Sequence, residues 1–150
     1  MPDEAAIPTE RETLLAREHE ALARWQAATA NVPPDAVRDD GWTFKDTVAH
    51  IGAWQRRTAA RLRALDLGEP DLTPVEADEF NARVLEESRD RRWEEVAREA
   101  EQARRDFIDA VETVRPVTFA ANDALGAWIV AHNGHLHYEE HLEDEWREAP

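Results

Sequence analysis

Residues 122–146 have the sequence NDALGAWIVAHNGHLHYEEHLEDEW, which holds four of the six histidines of the chain. The spacing of its apolar residues predicts one long helix. His137 and His141 are four residues apart, and on a helix this places two imidazoles on one face, about 6 Å apart at Cβ. Such a pair can reach one metal ion, so the question for the rest of the chain is whether it supplies a third ligand.

The composition predicts an all-α protein. The 150 residues are 42% hydrophobic and 34% charged, with only five glycines, which favours helices over a β-rich fold. A chain of this length is most simply one domain, here residues 1–150 with residues 1–8 as a loose tail. No run approaches the ~18 apolar residues of a membrane helix, and the N-terminus lacks a signal-peptide pattern. We therefore predict a cytoplasmic protein with no membrane partner.

The charge and the missing cysteines exclude several functions. The net charge of −15 comes from 33 acidic and 18 basic residues, and such a surface repels nucleic acid, so no nucleic-acid partner is expected. The chain has no cysteine, which excludes a disulfide framework, a thiolate ligand and a cysteine nucleophile. Any thiol in a reaction must therefore arrive as a small-molecule cosubstrate.

Apolar spacing and helix-capping residues predict four main helices. Thr9 with Glu12 and Thr43 with Asp46 form capping boxes, and Asn122 is the predicted N-cap of the last helix. A further capping box at residues 73–76 predicts a short helix in the connector between the second and third helices. The main helices are predicted at about residues 9–30, 43–67, 92–114 and 122–147. Together they indicate a four-helix bundle.

The connector at residues 68–91 decides whether His50, on the second helix, can join the pair. Alone, its place at the edge of the apolar stripe indicates a boundary histidine rather than a ligand, with Asp46 one turn earlier as the expected orienting partner. The connector is long enough to cross the whole bundle, which would make the second and fourth helices antiparallel. His50 would then share a layer with His137 and His141, whereas without a crossover it would miss them by about 15 Å.

Three segments resemble the DinB/YfiT superfamily of metalloenzymes. They are GWTFKDTVAH with Trp54 four residues on, NARVLEESRD in the connector, and NGHLHYEEH in the fourth helix. The resemblance covers about residues 12–146 and is nearest to the subgroup with colibactin-resistance and maleylpyruvate-isomerase-like proteins. It implies a four-helix bundle with a long crossover between the second and third helices.

The resemblance also implies a divalent metal held by His50, His137 and His141. His132 and His135 have no place in the family pattern. Three neutral imidazoles favour Zn²⁺, Ni²⁺, Co²⁺ or Fe²⁺ over metals that prefer oxygen, and three protein ligands leave an open position for chemistry.

Three hypotheses about function remain open. The first is a metal-dependent transferase, isomerase or hydrolase that acts on a small electrophile, with a low-molecular-weight thiol in the transfer and isomerisation cases. The second is a metal-binding bundle without turnover, and the third is a structural or interaction bundle. No general acid or base is predicted, because Glu140, Asp46 and Asp144 are poor candidates.

The predicted fourth helix also carries an unusual apolar strip on a second face, formed by Trp128, His135, Leu142 and Trp146. Bundle helices normally turn polar residues outward. The strip predicts either a cover formed by the tail or connector, or a homodimer contact.

Overall fold

The computed structural model describes residues 9–150, and the predicted tail at residues 1–8 lies outside this range. The described chain contains helices and isolated bridges but no strand, which confirms the all-α class. None of these helices has the length and apolarity that crossing a membrane requires. The helices are α1 (Glu10–Thr29), α2 (Phe44–Asp66), α3 (Ala77–Ser88), α4 (Trp93–Thr113), α5 (Val117–Asn133) and α6 (His135–His141).

The capping boxes that begin α1 and α2 are confirmed. The Thr43 hydroxyl accepts a hydrogen bond from the Asp46 backbone N–H, and the Asp46 carboxylate accepts one from the Thr43 backbone N–H. Thr9 and Glu12 make the same reciprocal pair. Each box satisfies two backbone donors that the first helical turn leaves without partners. The start of α2 is therefore set by local chemistry.

The capping box predicted at residues 73–76 is wrong. The connector helix α3 begins at Ala77, and its N-cap Glu76 makes no side-chain hydrogen bond. Most residues from 67 to 76 are exposed. A first helical turn is unfavourable without packing to stabilise it, so the capping residues alone do not start a helix there.

Helices α2 and α4 pack side by side and run in the same direction. The Lys45 ammonium, at the start of α2, donates to the Arg91 carbonyl just before α4, at 2.8 Å. Near the other end, Arg63 pairs with Asp106 at 2.8 Å. Because contacts advance along both helices together, residues 67–92 between them traverse the length of α2.

Helices α5 and α6 run antiparallel to α2. The Thr118 hydroxyl, at the start of α5, donates to Asp66 at the end of α2, at 2.7 Å. Farther along, the Gln55 amide donates to the Tyr138 hydroxyl of α6, at 3.0 Å. This antiparallel order brings α6 towards the first turns of α2.

The largest apolar core lies between α1, α2, α4 and α5, towards the C-terminal end of α2. Its largest side chains without exposed surface are those of Phe107 and Leu62. It buries Leu14, Ala59, Leu62, Phe107, Ala110, Val111, Val114, Phe119, Ile129 and Val130. His50 lies towards the opposite, N-terminal end of α2, where two smaller apolar clusters pack.

The prediction of one continuous fourth helix is wrong at its N-terminal end. Asn122 has φ 51° and lies in a left-handed stretch that ends at Ala124, so it is not an N-cap. After this stretch α5 folds back closely on its own first turn. At Gly126 a Cβ would lie 2.4 Å from the Thr118 carbonyl oxygen, so only glycine permits the approach.

The fourth helix is interrupted again at Gly134 and ends at His141 rather than near Arg147. Gly134 has φ −105° and ψ −115°, outside the helical region. A Cβ at this position would lie 2.6 Å from the Val130 carbonyl oxygen and 2.5 Å from a Glu18 carboxylate oxygen. The break therefore depends on a glycine, and it frees α6 to take its own orientation.

The segment after α6 folds back across the start of α2. Val37 and Arg147 exchange backbone hydrogen bonds of 2.8 and 2.9 Å, and the Trp146 ring packs edge-on against Phe44 at 5.3 Å. The predicted apolar strip is therefore wrong, because Trp146 leaves the helix and His135 is buried. A homodimer stays a prediction, now without that strip to support it.

Glu18, on α1, is only 3% exposed, and neither of its carboxylate oxygens has a hydrogen-bond partner among the described residues. Burial raises the pKa of this carboxyl from 4.5 to about 8, and Arg104 opposes the rise. The folded state therefore takes up a proton that the unfolded state releases between these values. Glu18 contributes fully to stability below pH 4.5, and that contribution is lost as the pH rises through 8.

We expect Glu18→Gln to remove this pH dependence. Relative to wild type, the free energy of unfolding of the variant should rise between about pH 5 and pH 8, by on the order of 3–5 kcal/mol. Urea unfolding at several pH values measures the difference. Glu20→Gln, at an exposed position of the same helix, is the matched control and should show no such trend. A pH-independent difference for Glu18→Gln would contradict the prediction.

Candidate metal centre

The structure brings His50, His137 and His141 together. The Nε2 atom of His137 lies 2.9 Å from Nε2 of His50 and 3.2 Å from Nε2 of His141. One ring nitrogen from each residue lies within 4.8 Å of the others, and each residue is 8% exposed. Three imidazoles thus present the same ring atom to one small volume inside the bundle.

Two helices supply these histidines. His50 lies in the second turn of α2, about two turns after the capping residue Thr43. His137 and His141 lie one turn apart on α6, as the four-residue spacing predicts. The break before α6 and the hydrogen bond from Gln55 to Tyr138 hold that short helix against α2.

Asn81 of α3 determines the proton position on His50. Its Oδ1 atom lies 2.8 Å from Trp54 Nε1 and 3.0 Å from His50 Nδ1. An indole N–H can only donate, so the Asn81 atom facing it must be the oxygen, and His50 Nδ1 must then also be a donor. In the neutral ring this leaves the Nε2 lone pair directed at the other histidines. Asp46, predicted to orient His50, contacts the Thr43 backbone instead.

Asp144 performs the same role for His141. Its carboxylate accepts a hydrogen bond from His141 Nδ1 at 2.7 Å and is also paired with the Arg38 guanidinium at 3.2 Å. Hydrogen bonds of this kind from a metal-binding histidine to a carboxylate set its orientation and raise its basicity. Arg38 in turn pairs with Asp40 at 2.6 Å. Residues from two loops therefore orient the third imidazole.

The converging nitrogens are unfavourable to one another without a cation. If the neutral rings of His50 and His141 direct lone pairs inward, His137 can donate a proton to only one of them. Burial, together with a smaller effect of the neighbouring histidines, lowers the pKa of His50 to about 4 and that of His137 to about 3. These two rings are therefore neutral near pH 7, which is the form that binds metals.

The geometry suits a small divalent ion. Nitrogen atoms bound to tetrahedral zinc at about 2.0–2.1 Å are separated from each other by roughly 3.3 Å. The two closest nitrogen pairs here are separated by 2.9 and 3.2 Å, and all three nitrogens lie within 4.8 Å of one another, so adjustment of the ring positions would accommodate the ion. The nitrogen donor set favours zinc, nickel, cobalt or iron over magnesium or calcium.

A cavity of about 570 Å³ borders the three histidines. Its walls include three tryptophans and two arginines, and its acidic side chains are Glu140 and Asp144. Asp144 is already engaged by His141 and Arg38, whereas Glu140 forms no side-chain bond within residues 9–150. A small molecule can therefore approach the side of the cluster that the protein leaves open.

The remaining histidines of residues 122–146 lie apart from the cluster. His135 is buried without joining it, and the exposed His132 stacks on Trp128 with ring centroids 4.0 Å apart. The sequence interpretation missed Asn81 as the partner of His50, although Asn81 begins the NARVLEESRD segment that resembles the family. It also missed the partnership of Asp144 with His141, which their three-residue spacing on a helix could have suggested.

Comparison with known proteins identifies a family for most of the chain. The family model described as the DinB superfamily matches residues 9–143. No curated protein and no solved structure matches the chain.

We expect both His50 and His141 to carry a proton on Nδ1 in the metal-free protein at neutral pH. The physical reason is that each Nδ1 faces an atom that can only accept, the Asn81 oxygen or the Asp144 carboxylate. Ring ¹⁵N chemical shifts report the tautomer directly. Asn81→Ala should remove the Nδ1–H preference of His50 and leave that of His141 unchanged. A protonated Nε2 on His50 in the wild type would contradict the assignment.

Proposed function

We propose that this chain, which belongs to the DinB superfamily, is a metal-dependent enzyme that acts on a small electrophilic molecule. His50, His137 and His141 would hold a divalent transition metal. The reaction would be a transfer or isomerisation with a low-molecular-weight thiol, or a hydrolysis. The observation that carries the proposal is the convergence of three buried Nε2 atoms, two of them on rings whose Nδ1 atoms face acceptors.

The arrangement of ligands supports catalysis at the metal. Three protein ligands leave a coordination position open, which is the pattern of catalytic rather than structural zinc sites. When bound, such a metal acts as a Lewis acid and lowers the pKa of a group in its open position. The adjoining cavity, about 570 Å³, has room for a substrate beside the histidines.

The chain's own residues would orient the histidines and bind the reactants. Asn81 and Asp144 hold the two outer imidazoles in place. Because the chain has no cysteine, a thiol nucleophile would enter the cavity as a cosubstrate. Glu140 is the pocket carboxylate without a described partner, and its position on the open side makes it the acid to test first.

Metal binding without turnover is the second candidate function. It is favoured by the scarcity of acid–base groups in the cavity, where Asp144 is occupied by His141 and Arg38. General acid–base catalysis needs a group within hydrogen-bond reach of the substrate. A protein that binds the metal but converts no substrate would therefore support this second candidate over the first.

The first experiment is metal analysis of purified variants. We expect His50→Ala and His141→Ala to lower zinc affinity by more than about a hundredfold, because loss of a ligand should exceed the 10- to 100-fold cost of losing an orienting partner. Competition with a chromophoric chelator measures the affinity. His132→Ala and His135→Ala are matched controls on the same stretch and should bind zinc as the wild type does. Unchanged zinc binding by His50→Ala and His141→Ala would exclude this ligand set.

The second experiment tests turnover. A panel of small electrophiles is offered with and without low-molecular-weight thiols, to the metal-loaded protein and to the same protein after chelation. We expect conversion that disappears with the metal and returns when the metal is restored, because the open position is the proposed reactive centre. Glu140→Gln should reduce the rate by about 10²–10⁴-fold if Glu140 transfers a proton. Turnover that is insensitive to chelation would contradict the metal mechanism.

A further inference from the structure

Two arginines line the cavity beside the histidines, and their surroundings differ. Arg38 is neutralised, because it pairs with Asp40 at 2.6 Å and with Asp144 at 3.2 Å. Arg61 forms no ion pair within residues 9–150, and its Nε atom is buried without a hydrogen-bond partner there. The cavity wall therefore contains one guanidinium that is already paired with carboxylates, that of Arg38, and one that is not, that of Arg61. The unpaired guanidinium can bind an anion from outside the protein.

The charges near Arg61 make its lack of a partner notable. Burial lowers the pKa of this guanidinium, the neighbouring Arg57 lowers it further, and the charge of Asp71 opposes the change. The protein as a whole has 33 acidic residues and a net charge of −15, so carboxylates are abundant on its surface. A half-buried arginine that lines a cavity and forms no ion pair with a carboxylate is typical of a binding group for an external oxyanion.

Arg61 lies at the far end of the cavity from the histidines. It follows His50 by eleven residues on α2, which is three helical turns, so both residues share one face about 16 Å apart along the axis. Trp54, one turn after His50, lies on the wall between them, and the 55% exposed ring of Trp128 lines the same cavity from α5. The cavity therefore combines the histidines and Arg61, which are far apart along α2, with exposed aromatic surface on its wall.

We propose that the cavity binds an elongated anionic molecule, with its carboxylate paired to Arg61, its apolar body along Trp54 and Trp128, and its reactive end at the three histidines. Only the placement of the reactive end at the histidines rests on the proposed function. The charge of Arg61 provides the anionic end independently of any metal. A guanidinium binds a carboxylate through two parallel hydrogen bonds, so the pairing also sets the direction in which the molecule enters.

A ladder of chain lengths tests the distance. The zinc-loaded protein is titrated by calorimetry with mercaptopropionate, mercaptohexanoate, mercaptooctanoate and mercaptoundecanoate, and with the mercaptoalcohols of equal length. The thiol would reach the metal, and only a sufficiently long chain would bring the carboxylate to Arg61. We expect the acid-to-alcohol affinity ratio to be near one for the shortest pair and to reach about tenfold at one of the longer lengths. A ratio that does not vary with length would overturn the proposal.

Variants of the two neighbouring arginines test the contact. Arg61→Gln should return the ratio for the best chain length to near one, and Arg61→Lys should retain part of it, because lysine keeps the charge without the planar fork. Arg57→Gln is the matched control, since Arg57 contributes charge near Arg61 without lining the cavity, and it should keep the ratio. Equal losses in Arg57→Gln and Arg61→Gln would overturn the proposal, because they would indicate a general field instead of a direct pair.

A metal-free arm separates this inference from the proposed function. Octanoate and octanol are titrated into metal-free wild type and metal-free Arg61→Gln. We expect the octanoate-to-octanol affinity ratio to be several-fold higher in the wild type. If zinc does not bind but this difference persists, the metal function fails and the anion site stands. If zinc binds but no Arg61-dependent preference occurs in either form, the anion site is overturned and the metal function stands.

Discussion

In the interior of the bundle, the Nε2 atom of His137 lies within hydrogen-bond distance of the Nε2 atoms of His50 and His141, and the surrounding structure holds the three imidazoles in this arrangement. Hydrogen bonds to Asn81 and Asp144 fix Nδ1 of the two outer rings as donors, so in the neutral rings both Nε2 lone pairs point towards His137. Burial keeps His50 and His137 neutral by lowering their pKa values. Such a cluster is unfavourable by itself and favourable around a cation, which is compatible with a metal site.

The breaks in the fourth helix make this cluster compatible with a packed core. Gly134 allows α6 to turn independently of α5, and the Gln55–Tyr138 hydrogen bond then holds α6 against α2. The break also leaves Glu18 buried beside Gly134, with its pKa raised to about 8. A buried carboxyl with a raised pKa lowers the free energy of unfolding as the pH rises. The packing of Glu18 beside the break before α6 therefore reduces the stability of the protein at high pH.

The connector contributes more than a link between helices. Its helix α3 has one buried residue, Ser88, yet it supplies Asn81 to His50 and a Phe80 ring that packs on Trp54, with centroids 4.5 Å apart. A weakly buried segment therefore orients a histidine of the cluster. The cavity beside it has arginines in its wall while the chain as a whole is acidic. Arg38 is neutralised by Asp40 and Asp144, so the local attraction for an anion comes from Arg61.

The sequence by itself determined the features that depend on neighbouring residues. These are the all-α class, the capping boxes at Thr9 and Thr43, and the one-turn spacing of His137 and His141, because caps and helical periodicity act within one turn. Only the tertiary structure decided the break at Gly134, the burial of Glu18, and the partnership of His50 with Asn81. Each of these depends on close contact between segments far apart in sequence, which no local pattern records. The capping box at residues 73–76 failed for the same reason, since a helix start persists only where packing stabilises it.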